Sequence, residues 1–540
     1  MRLLLKSLLV AVLSMVMQTS FAYDWDAEID GIYYKFYTNN VSVPYAEVTY
    51  REIKLVYGEL MYDFINDYSG DIVIPATVEY NGKTYSVTSI TQGAFKGCSN
   101  LVSVSISNNI TSIGRRAFEG CINLTSINLP SNLEYIGVRL FYDCRGLTSV
   151  SIPETVKSID SYAFEGCINL TSINLPSGMI NIGERAFYGC KGLISLDIPN
   201  NVENMYKSAF EGCTGLTSVN ISKSITEINE RVFCGTGLTS VTIPENVKMI
   251  QGSAFSDCVN LKTLVISDGD NAIRASFNGF PLEKLYLGRL TYNNFIRNCT
   301  TLKDVTFGKI YTSLPAYAFD GCINLIRVQG IDGVNSIGAY AFRGCERLES
   351  FFIPDGVNKI EDGTFYDCKQ LENIHIGNGV NSIGVNVFRG CEKLKSFSIP
   401  DGVKRIEDCT FYGCKRLSEI RIGRGVEEIG DSVFYNCPLT RIYNYADCPQ
   451  NCGKGVFSIV KYNCKLYVEE DYQDLFRVHQ DWYAFNIQPM DAEALPVQNL
   501  KIDNKLLQSY DLSGRKQSQK TNGLNIIRKL DGTTKKVIMK

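Results

Sequence analysis

The chain carries 19 cysteines and two histidines, His375 and His479, so any side-chain chemistry it performs must be sought first in thiols. Thirteen of the cysteines fall on a 23-residue period: Cys98, Cys121, Cys144, Cys167, Cys190 and Cys213, then Cys299, Cys322, Cys345, Cys368, Cys391, Cys414 and Cys437. Thiols can cross-link, hold metal or act as nucleophiles, but a strict period of this length points to a stack of equivalent coils. Equivalent positions in such a stack lie roughly 4.8 Å apart. Their Cβ atoms point the same way and stay about that far apart, beyond the roughly 3.5–4.5 Å that a disulfide requires. The ladder cysteines are therefore expected to be buried, unpaired thiols that behave as small apolar residues with a weak donor. Only Cys234, Cys409, Cys448, Cys452 and Cys464 lie off this pattern in places open to another role. For the last three, a disulfide is the better alternative to free thiols.

Other chemical motifs are imitations. Gly82-Lys83-Thr84 has the ending of a phosphate loop, yet Thr77 stands where its first glycine should be, so it reads as a hairpin. Asp268-Gly269-Asp270-Asn271 has the opening of a calcium loop, with Gly279 in place of the bidentate glutamate. Cys448, Cys452 and Cys464 lack a fourth ligand at metal spacing. Two histidines cannot furnish a catalytic triad in a chain with no paired acid and base. No metal, no cofactor and no enzymatic activity are expected.

The more informative residues form an outward column, one per coil: Ser105, Asn128, Ser151, Asn174, Asp197, Asn220, Thr242, Val265, Tyr286, Thr306, Gln329, Phe352, His375, Ser398 and Arg421. Small polar residues fill its first half, whereas Tyr286, Phe352, His375 and Arg421 appear only in the second. Aromatic and arginine side chains dominate binding hot spots, so these four are the candidate ligand-binding residues.

The elements that must position them are legible in one coil. Leu147-Thr148-Ser149-Val150-Ser151-Ile152-Pro153 alternates apolar and polar residues and stops at proline, which reads as a short strand. Val156-Lys157-Ser158-Ile159 supplies a second short strand, and Ala163-Phe164 a buried pair before the Gly166-Cys167 turn. Such a coil cannot bury its apolar face alone; stacking builds one continuous core. Counting the phenylalanine position from Phe95 to Phe434, with Phe277 and Phe295 included, gives about sixteen coils. The fold class is thus a β-rich repeat solenoid with short parallel strands. Only 41 residues separate Cys258 from Cys299, less than two periods. This shortening is either a tightened turn or a kink dividing two sub-arrays. Residues 117–131 recur almost unchanged at 163–177, as expected from duplication of coil pairs.

The array is expected over residues 89–445, with β caps at 23–88 and 446–490 and a small β domain at 491–540. In the first cap, Asn81-Gly82 between β-rich runs marks a hairpin. Residues 1–22 read as an export signal: basic residues, an apolar run from Leu8 to Met17, and the small-residue spacing Ser20-x-Ala22. That run is too short to span a bilayer and no second one follows it, so the mature chain is expected to have no transmembrane segment. With 54 basic against 57 acidic side chains, nucleic acid is an unsuitable partner, since phosphate binding needs a concentrated basic surface.

The frame Cys-x-x-Leu-x-x-Ile-x-Leu-Pro-x-x-x-x-x-Ile-Gly-x-x-Ala-Phe, read at Cys121 to Phe141 (with Leu140 for the alanine) and at Cys167 to Phe187, resembles the BspA-type class of bacterial leucine-rich repeat, also described from a treponemal repeat protein. The resemblance implies an exported, non-enzymatic surface or secreted protein that adheres to host matrix or cell-surface proteins or to other microbial cells. A glycan-binding accessory role, with Tyr286 and Phe352 as sugar platforms, is the alternative. The tail, Tyr510-Asp511-Leu512-Ser513-Gly514-Arg515 followed by Gly523-Leu524-Asn525-Ile526-Ile527 and Lys535-Lys536-Val537-Ile538, resembles a sorting domain read by type IX secretion. Asn525 there replaces the more usual aromatic.

Overall fold

The computed structural model describes residues 21–22, 25–38, 43–56, 61–269, 272–274, 280–289, 291–292, 296–309, 312–457, 460 and 464–490, together with 508–510, 516–517, 523–528 and 534–539. Residues 1–20 of the expected export signal lie outside them, as do Phe277, Phe295 and most of the calcium-loop imitation. The chain divides into two units, Met1–Pro489 and Met490–Lys540.

The first unit is a β-solenoid of about 17 turns with almost no helix. In a typical coil the strand Ser149–Ser151 turns its two serines out and buries Val150, as the two-residue period of a strand requires. A second strand, Ser158–Ile159, buries its isoleucine. The next coil pairs with both in parallel, at an offset of one repeat: Ser149 with Ser172, Val150 with Ile173 and Ser151 with Asn174, then Ser158 with Asn181 and Ile159 with Ile182. On the third, turn side the ladder is made by backbone turns. There Phe141 N–H donates to Ala163 O at 2.8 Å, and Phe164 N–H to Ala186 O at 2.8 Å.

Each of these turns needs left-handed backbone twice, as at Arg139 (φ 54°) and Asp143 (φ 58°) on either side of Phe141. Glycine often takes the second position, but the first is held by Arg116, Tyr162, Arg185 and other side-chain-bearing residues. A non-glycine residue there costs about 1–2 kcal/mol, which the surrounding ladder of hydrogen bonds offsets. Inside the turn the phenylalanines stack as a column; Phe164 and Phe187 lie 5.2 Å apart at 3°, and Phe187 and Phe210 5.2 Å apart at 5°. All 13 ladder cysteines are buried and free. From Cys121 onward each ladder thiol finds an acceptor in the preceding coil: Cys167 Sγ–H donates to Phe141 O at 3.1 Å, and Cys190 Sγ–H to Phe164 O at 3.1 Å. Thr236 takes the ladder position between Cys213 and Cys258. It donates to Phe233 O at 2.8 Å and lies 3.3 Å from the Cys258 sulfur.

In the shortened stretch the thiol ladder continues through Phe280 and Ile296: Cys299 Sγ–H donates to Phe280 O at 3.3 Å and Cys322 Sγ–H to Ile296 O at 2.9 Å. Phe280 meets Phe255 edge-on, at 6.2 Å and 77°, so the ring stack is interrupted. The strand face is not, because Thr263–Ile266, Lys284–Leu287 and Asp304–Phe307 pair in unbroken register. Arg289 is fully buried there. Its guanidinium reaches back across an intervening coil to donate to the carbonyls of Pro244 and Glu245.

Parallel pairing starts earlier than the cysteine period. Gly70–Ile74 pairs with Leu101–Ile106, and Lys83–Ile90 with Ser112–Ile113, while Tyr68 supplies the ring against Phe95 at 4.4 Å. Asn81 and Gly82, both with positive φ, close the antiparallel hairpin of Thr77–Tyr80 and Lys83–Ile90. At the other end Phe457 continues the ring column beyond Phe434 at 5.8 Å. The ladder then runs through Lys465–Val468 to Asn486–Pro489. A short helix, Gln473–Val478, adds Phe476 to a cluster with Trp482, Phe485 and Phe457. The second unit holds four antiparallel strands, Gln508–Tyr510, Lys516–Gln517, Gly523–Arg528 and Thr534–Met539.

One property of the strand face was not anticipated. Its ladder is open at five seams: between the strands ending at Asn128, Asn174, Asn220, Gln329 and His375 and the next strand in each case. Every seam is bridged by the second strand of the same coils, for example Ile337 with Ile360 and Ile383 with Ile406.

Candidate binding face

The outward column exists as the alternation requires, and its two halves differ in what their side chains do. In the first half, Asn128, Asp197 and Asn220 spend their polar groups on the scaffold. Asn128 accepts from Ile106 N–H at 2.9 Å and donates to Ile106 O at 3.2 Å, while Asn220 donates to Asp197 at 2.8 Å. In the second half, Tyr286 O–H donates to Asp268 Oδ1 at 2.8 Å. Partial burial and that carboxylate raise its phenol to about 12. Phe352 is 41% exposed and lies face to face with His375, ring centres 5.2 Å apart at 5°. Arg421 Nε–H donates to Glu419 Oε1 at 3.2 Å, and the guanidinium carbon sits 4.8 Å above the Tyr443 ring.

Of the four sequence-predicted residues, Phe352 and His375 are thus brought into contact. Arg421 is two coils from His375, with exposed Ser398 between them. Tyr286 is three coils before Phe352, with Thr306 and Gln329 intervening. At the same strand position past Arg421 stand Tyr443 and Tyr467, both buried and stacked at 4.7 Å and 15°. Extending the strand frame one more coil, to Thr440-Arg441-Ile442-Tyr443, would have found the first of them.

A second ladder escaped the sequence reading altogether. On the turn side arginines lie over tyrosine rings: Arg139 over Tyr142 and Tyr162 at 4.7 and 5.1 Å, Arg185 over Tyr188 at 3.9 Å, and Arg389 over Tyr412 at 4.5 Å. Acids pair with several of the arginines, as Glu165 with Arg185 at 2.8 Å, Glu211 with Arg231 at 2.7 Å, and Asp320 with both Arg297 and Arg343 at 2.7 Å. The signal was present in the residues two before and one after each core phenylalanine. These groups largely satisfy one another across coils, which is a scaffold role.

The described residues contain no group of three or more metal-ligating side chains, and no helix among them is long and apolar enough to cross a membrane. His479 Nδ1 accepts from Asp481 N–H at 3.3 Å, and His375 packs on a phenyl ring; neither is placed against a nucleophile. The parallel stack presents a row of side chains on its strand face, and its coils are those of a leucine-rich repeat array. The chain belongs to the BspA type leucine-rich repeat family, which matches residues 81–156, 134–262, 290–403 and 381–476. This family is generally a non-enzymatic binding scaffold, typically surface-located or secreted.

Among solved structures, the chain is similar to a leucine-rich repeat protein from Bacteroides ovatus (23% identity, TM-score 0.37, covering 86% of this chain and 100% of that one). It is also similar to a leucine rich cell surface protein from Faecalibacterium prausnitzii (24%, TM-score 0.31, 78% and 95%) and to the T. pallidum leucine rich repeat protein (19%, TM-score 0.20, 58% and 87%). No curated protein matches the chain.

Proposed function

We propose that this protein is an exported, non-enzymatic adhesin whose strand face engages a protein of a host matrix, a host cell or another microbial cell. The observation that carries the reading is the outward column: small polar residues fill its first half, whereas its second half holds planar side chains, of which Phe352 and His375 are stacked on each other and exposed. Exposed aromatic and arginine groups on a rigid surface bind with little ordering cost. The full chain is expected to bind immobilised matrix proteins or whole cells saturably. Phe352→Ala with His375→Ala should weaken that binding about tenfold, the loss of one hot-spot contribution. Absence of saturable binding to any of these surfaces, with attachment unchanged after deletion of the protein, would sink the adhesin reading. Glycan binding abolished by Tyr286→Ala would favour the accessory-protein alternative.

The separate four-stranded unit at Met490–Lys540 is assigned the sorting role that its sequence resembles. Truncation after Pro489 is expected to leave the melting temperature of the solenoid unchanged and to trap folded protein in the periplasm. Normal surface delivery of the truncated chain would refute that address.

A further inference from the structure

Planar side chains occupy the strand column at Phe352, His375, Arg421, Tyr443 and Tyr467, and one coil in that run, at Ser398, has none. We infer that the notch over Ser398, between His375 and Arg421, is a receptacle for one aromatic side chain of a protein partner. The inference rests on the reading that this face binds protein, and it names the group that is bound.

Three observations support it. One face of the His375 ring is covered by Phe352 at 5.2 Å, while on the other side the neighbouring coil offers only the exposed Ser398. In the core, one ring per coil stacks at 5.2 Å, so the coil pitch is itself a stacking pitch and a ring placed over Ser398 would continue the outer row. Finally, the strands Asn373–His375 and Ser396–Ser398 belong to different sheets and are not paired with each other, so the notch lies at an open seam of the strand ladder. Arg421 decides the chemistry. Its guanidinium is fixed by Glu419 at 3.2 Å, and a fixed cation favours an electron-rich ring, tryptophan or tyrosine before phenylalanine.

The test selects peptides from a random display library on the full-length protein and measures their affinity for wild type, Ser398→Phe, and Asn204→Phe on the second strand ladder as a control. Selected peptides are expected to carry a tryptophan or tyrosine whose replacement by alanine weakens binding at least tenfold. Ser398→Phe, which fills the notch from within, should weaken it as much, while Asn204→Phe leaves it unchanged and both variants melt with wild type. Peptides that bind Ser398→Phe as well as wild type but lose affinity for Phe352→Ala would overturn the receptacle and leave the binding face standing. Ser398-dependent binding of oligosaccharides, or of peptides lacking an aromatic residue, would overturn it too. Selection of no peptide at all, with no binding to matrix or cells, would overturn both proposals.

Discussion

Raised from neutral pH, the solenoid is expected to lose its fold steeply from about pH 9 upward, well before most of its lysines discharge. Burial pushes a dozen ladder thiols above their ordinary value of 9.0, Cys98, Cys213 and Cys322 to about 12 and the others also upward. In the unfolded chain the same thiols ionise near pH 8.5–9. A folded-state value raised above the unfolded one means that the native state holds protons which the unfolded state releases. The stabilisation is complete below about pH 9 and is lost as the pH rises. Each thiol withdraws about 1.4 kcal/mol per pH unit above that point, so a dozen acting together exceed the few to fifteen kcal/mol that ordinarily separates folded from unfolded protein within a single unit. Far-ultraviolet circular dichroism and thiolate absorbance, followed together through an alkaline titration, should change in one transition. A thiol reagent added at neutral pH should find the ladder unreactive until denaturant is present. Thiolate appearing near pH 9 with the dichroism intact would show that the ladder is not sealed.

Phe187→Ala should cost about 3–5 kcal/mol, the range for a fully buried aromatic whose cavity cannot collapse. Phe187 is stacked on both faces, against Phe164 and Phe210 at 5.2 Å each, and its backbone is held between coils by Phe187 N–H to Ala209 O at 2.8 Å, so neither neighbour can move in to fill the space. The effect should also be local. In a linear array each coil contacts only its neighbours, and the coils on either side of the defect keep their own cores. Hydrogen exchange should accelerate most at Phe164, Phe187 and Phe210, with much less change near Phe388. A uniform rise in exchange along the array, or a loss below about 1 kcal/mol, would contradict this account of how the stack is held together.

The coil, its three sides, the buried free thiols and the outward column were legible because a fixed period places every residue type in the same environment many times over. The sequence says less where the period breaks. Between Cys258 and Cys299 spacing alone does not identify the acceptors of Cys299 and Cys322, which are the Phe280 and Ile296 carbonyls. The first coil carries no ladder cysteine, and Tyr68 supplies its ring against Phe95, so the period does not reveal it. The thiol-to-carbonyl bonds could not be foreseen, since they join residues 26 apart through a turn geometry that spacing alone does not define. In Cys167→Ser the hydroxyl would keep the Phe141 carbonyl within reach as acceptor, and Thr236 shows a hydroxyl accommodated at a ladder position, where it donates to the Phe233 carbonyl of its own coil. The seams were invisible because strands on both sides of them have the same sequence frame as strands that pair.

Those seams make the stack locally compliant. At Asn128, Asn174, Asn220, Gln329 and His375 the first strands of adjacent coils are unpaired while their second strands remain paired, and at Ile113, Met205 and Tyr292 the reverse holds. Under tension such a stack is expected to fan open at these joints in small elastic steps, now on one side and now on the other, with every coil still folded and the paired strand acting as the hinge. A load that would tear a continuous ladder is spread over several compliant joints.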